Sequence, residues 1–206
     1  MNKVLIIPGS FNPITNAHID MALTAKSAVN AADVLFIPAH DTYVAKKRTL
    51  IPGYCRVSLI NSVPDVHTNN MWALDLETTS YFPQRTYNTI RQIKGIYRDL
   101  FDEYYICFGM DNIKTLTSWY NWKSLIEECK FVACMREGQN LDDALREADL
   151  MKYREHFLEI QIPENHISSS LVRDLCDKGE FEKVKELVPE NVYEYLIQFY
   201  DEMNRI

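Results

Sequence analysis

The residues of this chain best suited to chemistry are a threonine and a histidine three positions apart behind a glycine turn: Gly9-Ser-Phe-Asn-Pro-Ile-Thr15-Asn-Ala-His18. The apolar run Val4–Ile7 precedes them and reads as a buried strand. Ile19–Val29 follows, with apolar residues at helical spacing. A strand, a tight turn and a helix start make a seat for an anion, because unpaired N–H groups and the positive end of the helix dipole face the turn. Thr15 and His18, one turn apart, can both reach one phosphate. The segment lacks the Gly-Lys-Ser/Thr of a P-loop, so the chemistry is not that of a P-loop NTPase. A second anion seat is predicted at His166-Ile-Ser-Ser-Ser-Leu-Val-Arg173. There Ser168 or Ser169 can cap a helix, and Arg173 lies one turn further on, where a guanidinium can fork onto phosphate oxygens.

These residues need a scaffold, and the rest of the chain supplies one. Strands are predicted over 3–7, 33–38, 71–76, 104–109, 130–135 and 157–162. Helices are predicted over 16–30, 53–62, 86–98, 112–118, 122–128, 141–155, 169–178, 181–187 and 190–203. Strand-then-helix alternation implies βαβ crossovers. The fold class is therefore α/β: one Rossmann-like, doubly wound, mostly parallel sheet with helices on both faces. Residues 1–206 read as one domain, with a small helical C-terminal part from about 165 to 206. In such a sheet ligands bind beyond the strand C-terminal ends, at the switch point of strand order. Gly9, His40, Lys46, Gly109, Arg136 and Ser168 each follow a predicted strand and should converge there. The longest irregular stretches, 39–52 and 78–85, fit functional loops.

The N-terminal segment resembles the nucleotidylyltransferase signature Gly-x-Phe-x-Pro-His/Thr-x-x-His in its Thr form. Ile167-Ser-Ser-Ser-Leu-Val-Arg173 is similar to the Ile-Ser-Ser-Thr/Ser-x-x-Arg signature of the same superfamily. Between them, Phe108-Gly-Met-Asp111, Leu116-Thr-Ser-Trp119 and the run ending at Arg136 resemble the nicotinate/nicotinamide mononucleotide adenylyltransferases. Tyr43–Val57 is similar to that family's basic loop and following helix, and Gln84–Ile90 to its Ser-Tyr-Thr-x-x-Thr-Leu segment. The chain departs from the pattern at Pro8, where many members have a first glycine, at Thr15, which stands for a first His, and at Arg85, which stands for a Tyr.

The resemblance implies AMP transfer from ATP to a pyridine mononucleotide, with Mg²⁺ carried on the ATP phosphates. It assigns His18, Lys47 (or Lys46) and Arg173 to catalysis. ATP would meet Gly9, Ser10, Phe11, Thr15, His18, Gly109, Asp111, Arg136, Ile167, Ser168, Ser169 and Arg173. The mononucleotide would meet Ser10, Phe11, Lys47, Thr86 and Trp119. Asp111 is placed on the ATP ribose hydroxyls, with helix capping as its other role. Trp119 is placed on the pyridine ring, with core packing as the alternative; Trp72 and Trp122 are read as structural. Arg85 and the N–H groups near Thr86 would favour nicotinate over nicotinamide, since no acidic residue in 81–90 opposes a carboxylate. Two rival readings are phosphopantetheine adenylyl transfer and a non-catalytic nucleotide-binding regulatory module.

Composition sets the outer bounds. A net charge of −7 argues against a nucleic-acid partner bound through a broad basic face. The dense basic run Lys46-Lys-Arg48 suits a small anion instead. No apolar run approaches the roughly 18 residues of a membrane span, and no signal-peptide pattern opens the chain. Five cysteines without C-x-x-C spacing point to a reducing cytoplasm, with neither structural zinc nor disulfides. Tyr193, Tyr195, Phe199 and Tyr200 could pack on the chain's own sheet or form a homo-oligomer interface.

Overall fold

The computed structural model describes residues 1–44, 50–163 and 166–203. The described residues form a six-stranded sheet, every pairing parallel, in the order β3-β2-β1-β4-β5-β6. The strands are β1 Lys3–Gly9, β2 Asp33–Pro38, β3 Met71–Ala73, β4 Glu103–Gly109, β5 Lys130–Met135 and β6 Phe157–Gln161. Strand order reverses between β1 and β4, which makes their C-terminal ends the switch point.

Burial on both faces explains why these strands are continuous apolar runs. In β1, Leu5 and Ile7 belong to one core and Val4 and Ile6 to the other, all at most 1% exposed. The first core is closed by α1 (Asn16–Val29), α3 (Gly53–Ser62), α9 (Ser169–Asp177) and α11 (Glu190–Met203), through Ala22, Ile60, Val172 and Leu196. The second is closed by α5 (Thr86–Ile96), α6 (Met110–Thr115), α7 (Trp122–Glu128) and α8 (Leu141–Glu147), through Ile93, Ile113, Leu125 and Leu145. Short helices α2 (Asp41–Val44), α4 (Pro64–Thr68) and α10 (Phe181–Val184) complete the described chain. Neither α2 nor α4 was expected from the sequence; Pro64 occupies the first turn of α4, where its missing N–H costs nothing.

Some predicted boundaries move for identifiable reasons. The helix expected over 141–155 stops at Glu147, because Asp149 turns left-handed at φ 57° and Leu150 donates back to the Leu145 carbonyl. A 3₁₀ stretch, Met151–His156, replaces its second half. The strand expected over 71–76 ends at Ala73, where the Asn61 side chain closes the sheet edge. Its amide accepts from the Ala73 N–H at 2.7 Å and donates to the Ala73 carbonyl at 3.0 Å. An edge strand so covered offers no pairing template at that residue.

The C-terminal aromatics pack inward. Tyr200 is buried, and Tyr193, Tyr195 and Phe199 lie against the first core. Cys107 and Cys134 are buried free thiols on adjacent strands, as small apolar side chains would be. No helix among the described residues is long and apolar enough to cross a membrane.

Candidate active site

The segment Gly9–Thr15 leaves β1 at the switch point, and its main chain is tied to the protein at almost every carbonyl. Gly9 O accepts from Ala39 N at 2.8 Å and Ser10 O from Arg56 Nη1 at 2.6 Å. Asn12 O accepts from Arg173 Nη1 at 2.6 Å and Pro13 O from Ser169 Oγ at 2.8 Å. The Asn12 side chain accepts from Ile51 N at 3.0 Å. Phe11 takes a left-handed φ of 43° and turns its ring into the core, edge-on to Phe36 at 5.4 Å and to His18 at 5.3 Å. Gly9 is required by this ring, since a Cβ there would lie 2.8 Å from Phe11 Cζ.

Thr15 caps α1, and a reciprocal capping box links it to His18. The Thr15 N–H donates to His18 Nδ1 at 3.1 Å, and Thr15 Oγ1 lies 2.7 Å from the same nitrogen. Thr15 is fully buried, whereas His18 lines the larger crevice. At the second seat Ser168 caps α9, accepting from Leu171 N at 3.1 Å. The two segments read from sequence as anion seats therefore meet, joined by the contacts of Arg173 and Ser169 to Asn12 and Pro13.

Two crevices flank this junction. The larger, about 720 Å³, is lined by His18, Gly109, Asp111, Arg136, Ile167, Ser168 and Ser169. All seven belong to the set expected to meet ATP. Asp111 stands exposed in the first turn of α6, while Gly109 occupies the cap position, so helix capping is not its role. The smaller crevice, about 410 Å³, is lined by Gly9, Ser10, Arg85, Thr86, Trp119 and Tyr120, with Glu77 and Tyr43. Trp119 is half-buried: it lies edge-on to Phe108 at 5.8 Å and also lines this crevice.

Three expectations change in detail. Phe11 and Thr15 lie outside the lining of both crevices, because their side chains fill the core and hold His18. Arg173 also lies outside that lining: it is 9% exposed, with Nη1 on Asn12 O and Nη2 on Ser170 Oγ at 3.0 Å. The stretch 81–90 is free of acid, but Glu77 brings a carboxyl to the same crevice from outside it. Lys46 and Lys47 lie outside the described residues.

Sequence reasoning also missed Arg56. It is fully buried, donating to Ile51 O, Ser10 O and Ala39 O, and pairs with Asp41 at 2.5 Å. The signal was present: Arg56 falls three and four residues before Leu59 and Ile60, on the buried face of α3. Gln139, which lines the larger crevice and accepts from Arg136 N at 2.9 Å, carried no such signal. Nor did Glu77. Burial pushes its carboxyl above the usual carboxylate range, partly offset by hydrogen bonds from Thr89 Oγ1 at 2.8 Å and the His40 main chain.

Residues 6–175 match the family model described as cytidylyltransferase-like. A probable nicotinate-nucleotide adenylyltransferase of Dehalococcoides mccartyi is 30% identical over 196 residues, covering 94% of each chain. Another so named, from Clostridium acetobutylicum, is 24% identical over 199 residues, covering 95% of this chain and 96% of that one. Among solved structures, the nicotinic acid mononucleotide adenylyltransferase of Plasmodium falciparum complexed with NaAD superposes with a TM-score of 0.72. It is 23% identical, with 98% of both chains covered, and shares the fold.

Two outcomes follow from the hydrogen bonds of the site. Arg173→Ala strips the Asn12 carbonyl of a charged donor and should destabilise the nucleotide-free protein by about 1–3 kcal/mol, read from urea unfolding. An unchanged midpoint would remove Arg173 from the scaffold. Glu77 holds its proton more tightly folded than unfolded. Its contribution is therefore full below the unfolded carboxyl pKa of about 4.3 and is lost as pH rises through the raised folded value. Glu77→Gln keeps an acceptor for Thr89, so the variant should gain stability over the parent between mildly acidic and neutral pH. An equal difference at both pH values would contradict this.

Proposed function

Because the chain belongs to the cytidylyltransferase-like family, we propose that this junction carries adenylyl transfer, AMP passing from ATP to nicotinate mononucleotide to give deamido-NAD and pyrophosphate. The names of the relatives give the acceptor class. The observation that carries the reading is the stitching of the two phosphate seats, Ser169 Oγ to Pro13 O and Arg173 to Asn12 O, between a larger and a smaller crevice. Such an arrangement suits two nucleotides whose phosphates meet at one point.

The reaction needs no protein nucleophile. A phosphate oxygen of the mononucleotide attacks the α-phosphorus of ATP in line, and pyrophosphate departs with the electrons of the broken P–O bond. The protein positions the reactants and offsets charge. His18 donates to the α-phosphate oxygens. The α9 N-terminus at Ser168 and Ser169 receives the β- and γ-phosphates, with the Arg173 charge favouring them from its anchorage on Asn12. Asp111 accepts from the ribose hydroxyls, a natural task for an exposed carboxylate, and Arg136 borders the same crevice. Lys47, or Lys46, neutralises the departing pyrophosphate. Among the described residues no three His, Cys, Asp or Glu side chains are grouped to hold a metal. Mg²⁺ carried by ATP would supply further positive charge against the polyphosphate. The mononucleotide ring stacks on Trp119, and its carboxylate meets the α5 N-terminus at Thr86, beside Arg85. The cytoplasm, where ATP and reduced thiols coexist, is the compartment that fits.

Pyrophosphate release from ATP, assayed with nicotinate mononucleotide, nicotinamide mononucleotide and phosphopantetheine in parallel, tests the assignment. The expected order of kcat/KM is nicotinate above nicotinamide, with phosphopantetheine inert. A nicotinate-to-nicotinamide ratio at or below one would refute the carboxylate preference, and turnover of phosphopantetheine alone would refute the function. His18→Ala should lower kcat by at least roughly 10²-fold while ATP binding stays within a few-fold, as for loss of one transition-state donor. Near-normal kcat would remove His18 from the chemistry.

A further inference from the structure

Thr15 stands at the His/Thr position of the signature, and its placement differs from that of a phosphate ligand. It is 0% exposed, so its hydroxyl does not face solvent. Both of its polar groups instead meet one atom: the main-chain N–H reaches His18 Nδ1 at 3.1 Å and Oγ1 lies 2.7 Å from it. A main-chain N–H can only donate, so the nitrogen it meets must present a lone pair. A proton on Nδ1 would point at that N–H. This arrangement favours a lone pair on Nδ1 and the ring proton on Nε2. Phe11, edge-on at 5.3 Å, packs against the same ring.

From this geometry we propose that Thr15 is a positioning residue, holding His18 as a neutral imidazole with its proton on Nε2. His18 then acts as a fixed hydrogen-bond donor to the reacting phosphate and not as a proton source. The inference rests on the reading of His18 given under Proposed function, and it agrees with the stoichiometry. Phosphate attack on ATP with loss of pyrophosphate requires no proton to be delivered to either bridging oxygen. A histidine that donated its proton outright would need to recover it each turnover. One that keeps it offers the same N–H to every substrate pair, without reorganisation.

The test reads the histidine directly. In nitrogen-15-labelled protein without nucleotide at neutral pH, the His18 ring is identified as the signal set, among five histidines, missing from His18→Gln. Its two ring nitrogens should show the pattern of a single neutral Nε2–H tautomer. Thr15→Val, which removes the hydroxyl and leaves the weaker 3.1 Å contact, should shift that pattern towards a tautomer mixture. Its kcat should fall about tenfold, equivalent to about 1.4 kcal/mol of barrier, while KM for ATP stays within a few-fold. Thr15→Ser should restore both readouts. A parent spectrum showing the Nδ1–H tautomer, a mixture or an imidazolium would overturn the proposal, even if the valine variant failed to fold. So would a valine variant whose kcat and tautomer did not change together. Parent protein inactive with every acceptor but showing the Nε2–H pattern would sink the assigned function and leave the tautomer assignment standing.

Discussion

The site depends on how one short loop is held. An anion seat built from main chain fails if carbonyl lone pairs share it with the N–H groups, so the carbonyls must be engaged elsewhere. Here Ser10 O and Asn12 O are each taken by a buried guanidinium, Arg56 from α3 and Arg173 from α9. Gly9 O is taken by the Ala39 N–H just past β2, and Pro13 O by the Ser169 hydroxyl of α9. A buried arginine is costly unless its donors are satisfied. Arg56 spreads its donors over three carbonyls and Asp41, so the cation and the loop stabilise one another. The clamp reaches across the whole topology, because α3 follows the second strand and α9 follows the sixth.

That reach explains why the loop belongs in this fold. The all-parallel sheet sends every strand's C-terminal end to one rim, and reversal of strand order between β1 and β4 opens a gap there. The chain that leaves β2 and the chain that leaves β6 both return to this gap, as α3 and α9. The loop leaving β1 therefore has neighbours from both halves of the sheet, one arginine coming from each. The same clamp sets the angle at which α1 begins, and with it the place of His18.

Much of this was legible in the residues. Val4–Ile7 and Phe131–Met135 are apolar throughout, and only strands buried on both faces read that way. The two helix starts were legible as a pair: a serine at one of them alone reads as a helix cap, and it is the glycine turn with Thr15 and His18 at the other that gives both a common use. Thr15 and Arg173 were read as ligands of phosphate, and here the sequence could not discriminate. A hydroxyl or guanidinium one turn from an anion seat can meet the anion or the loop that surrounds it, and spacing is identical for both. Burial decides, and burial depends on neighbours such as Ser170 and Asn12 that are brought together only by the fold. Glu77 is the sharper case. It lies outside every motif, in a stretch without period, and reaches the smaller crevice because Asp75 turns the chain just beyond the sheet edge, its carbonyl accepting from Thr79 N.

The electrostatics of the site follow from this division of labour. A chain of net charge −7 must bind two polyanionic nucleotides, and surface cations spaced over an acidic protein are screened by salt within about 8–10 Å. Positive groups built into the support of the loop are screened far less, because they lie in the interior. Arg56 and Arg173 both turn loop carbonyls away from the anion; the Arg56 charge is matched by Asp41, and the Arg173 charge favours the anion from behind. Neither has to move when phosphate arrives, so the attraction carries no reorganisation cost. A positioned neutral histidine completes the scheme. With charge supplied from below the loop, the group that faces the reacting phosphorus need only be a well-aimed N–H, and Thr15, without charge of its own, is suited to aim it.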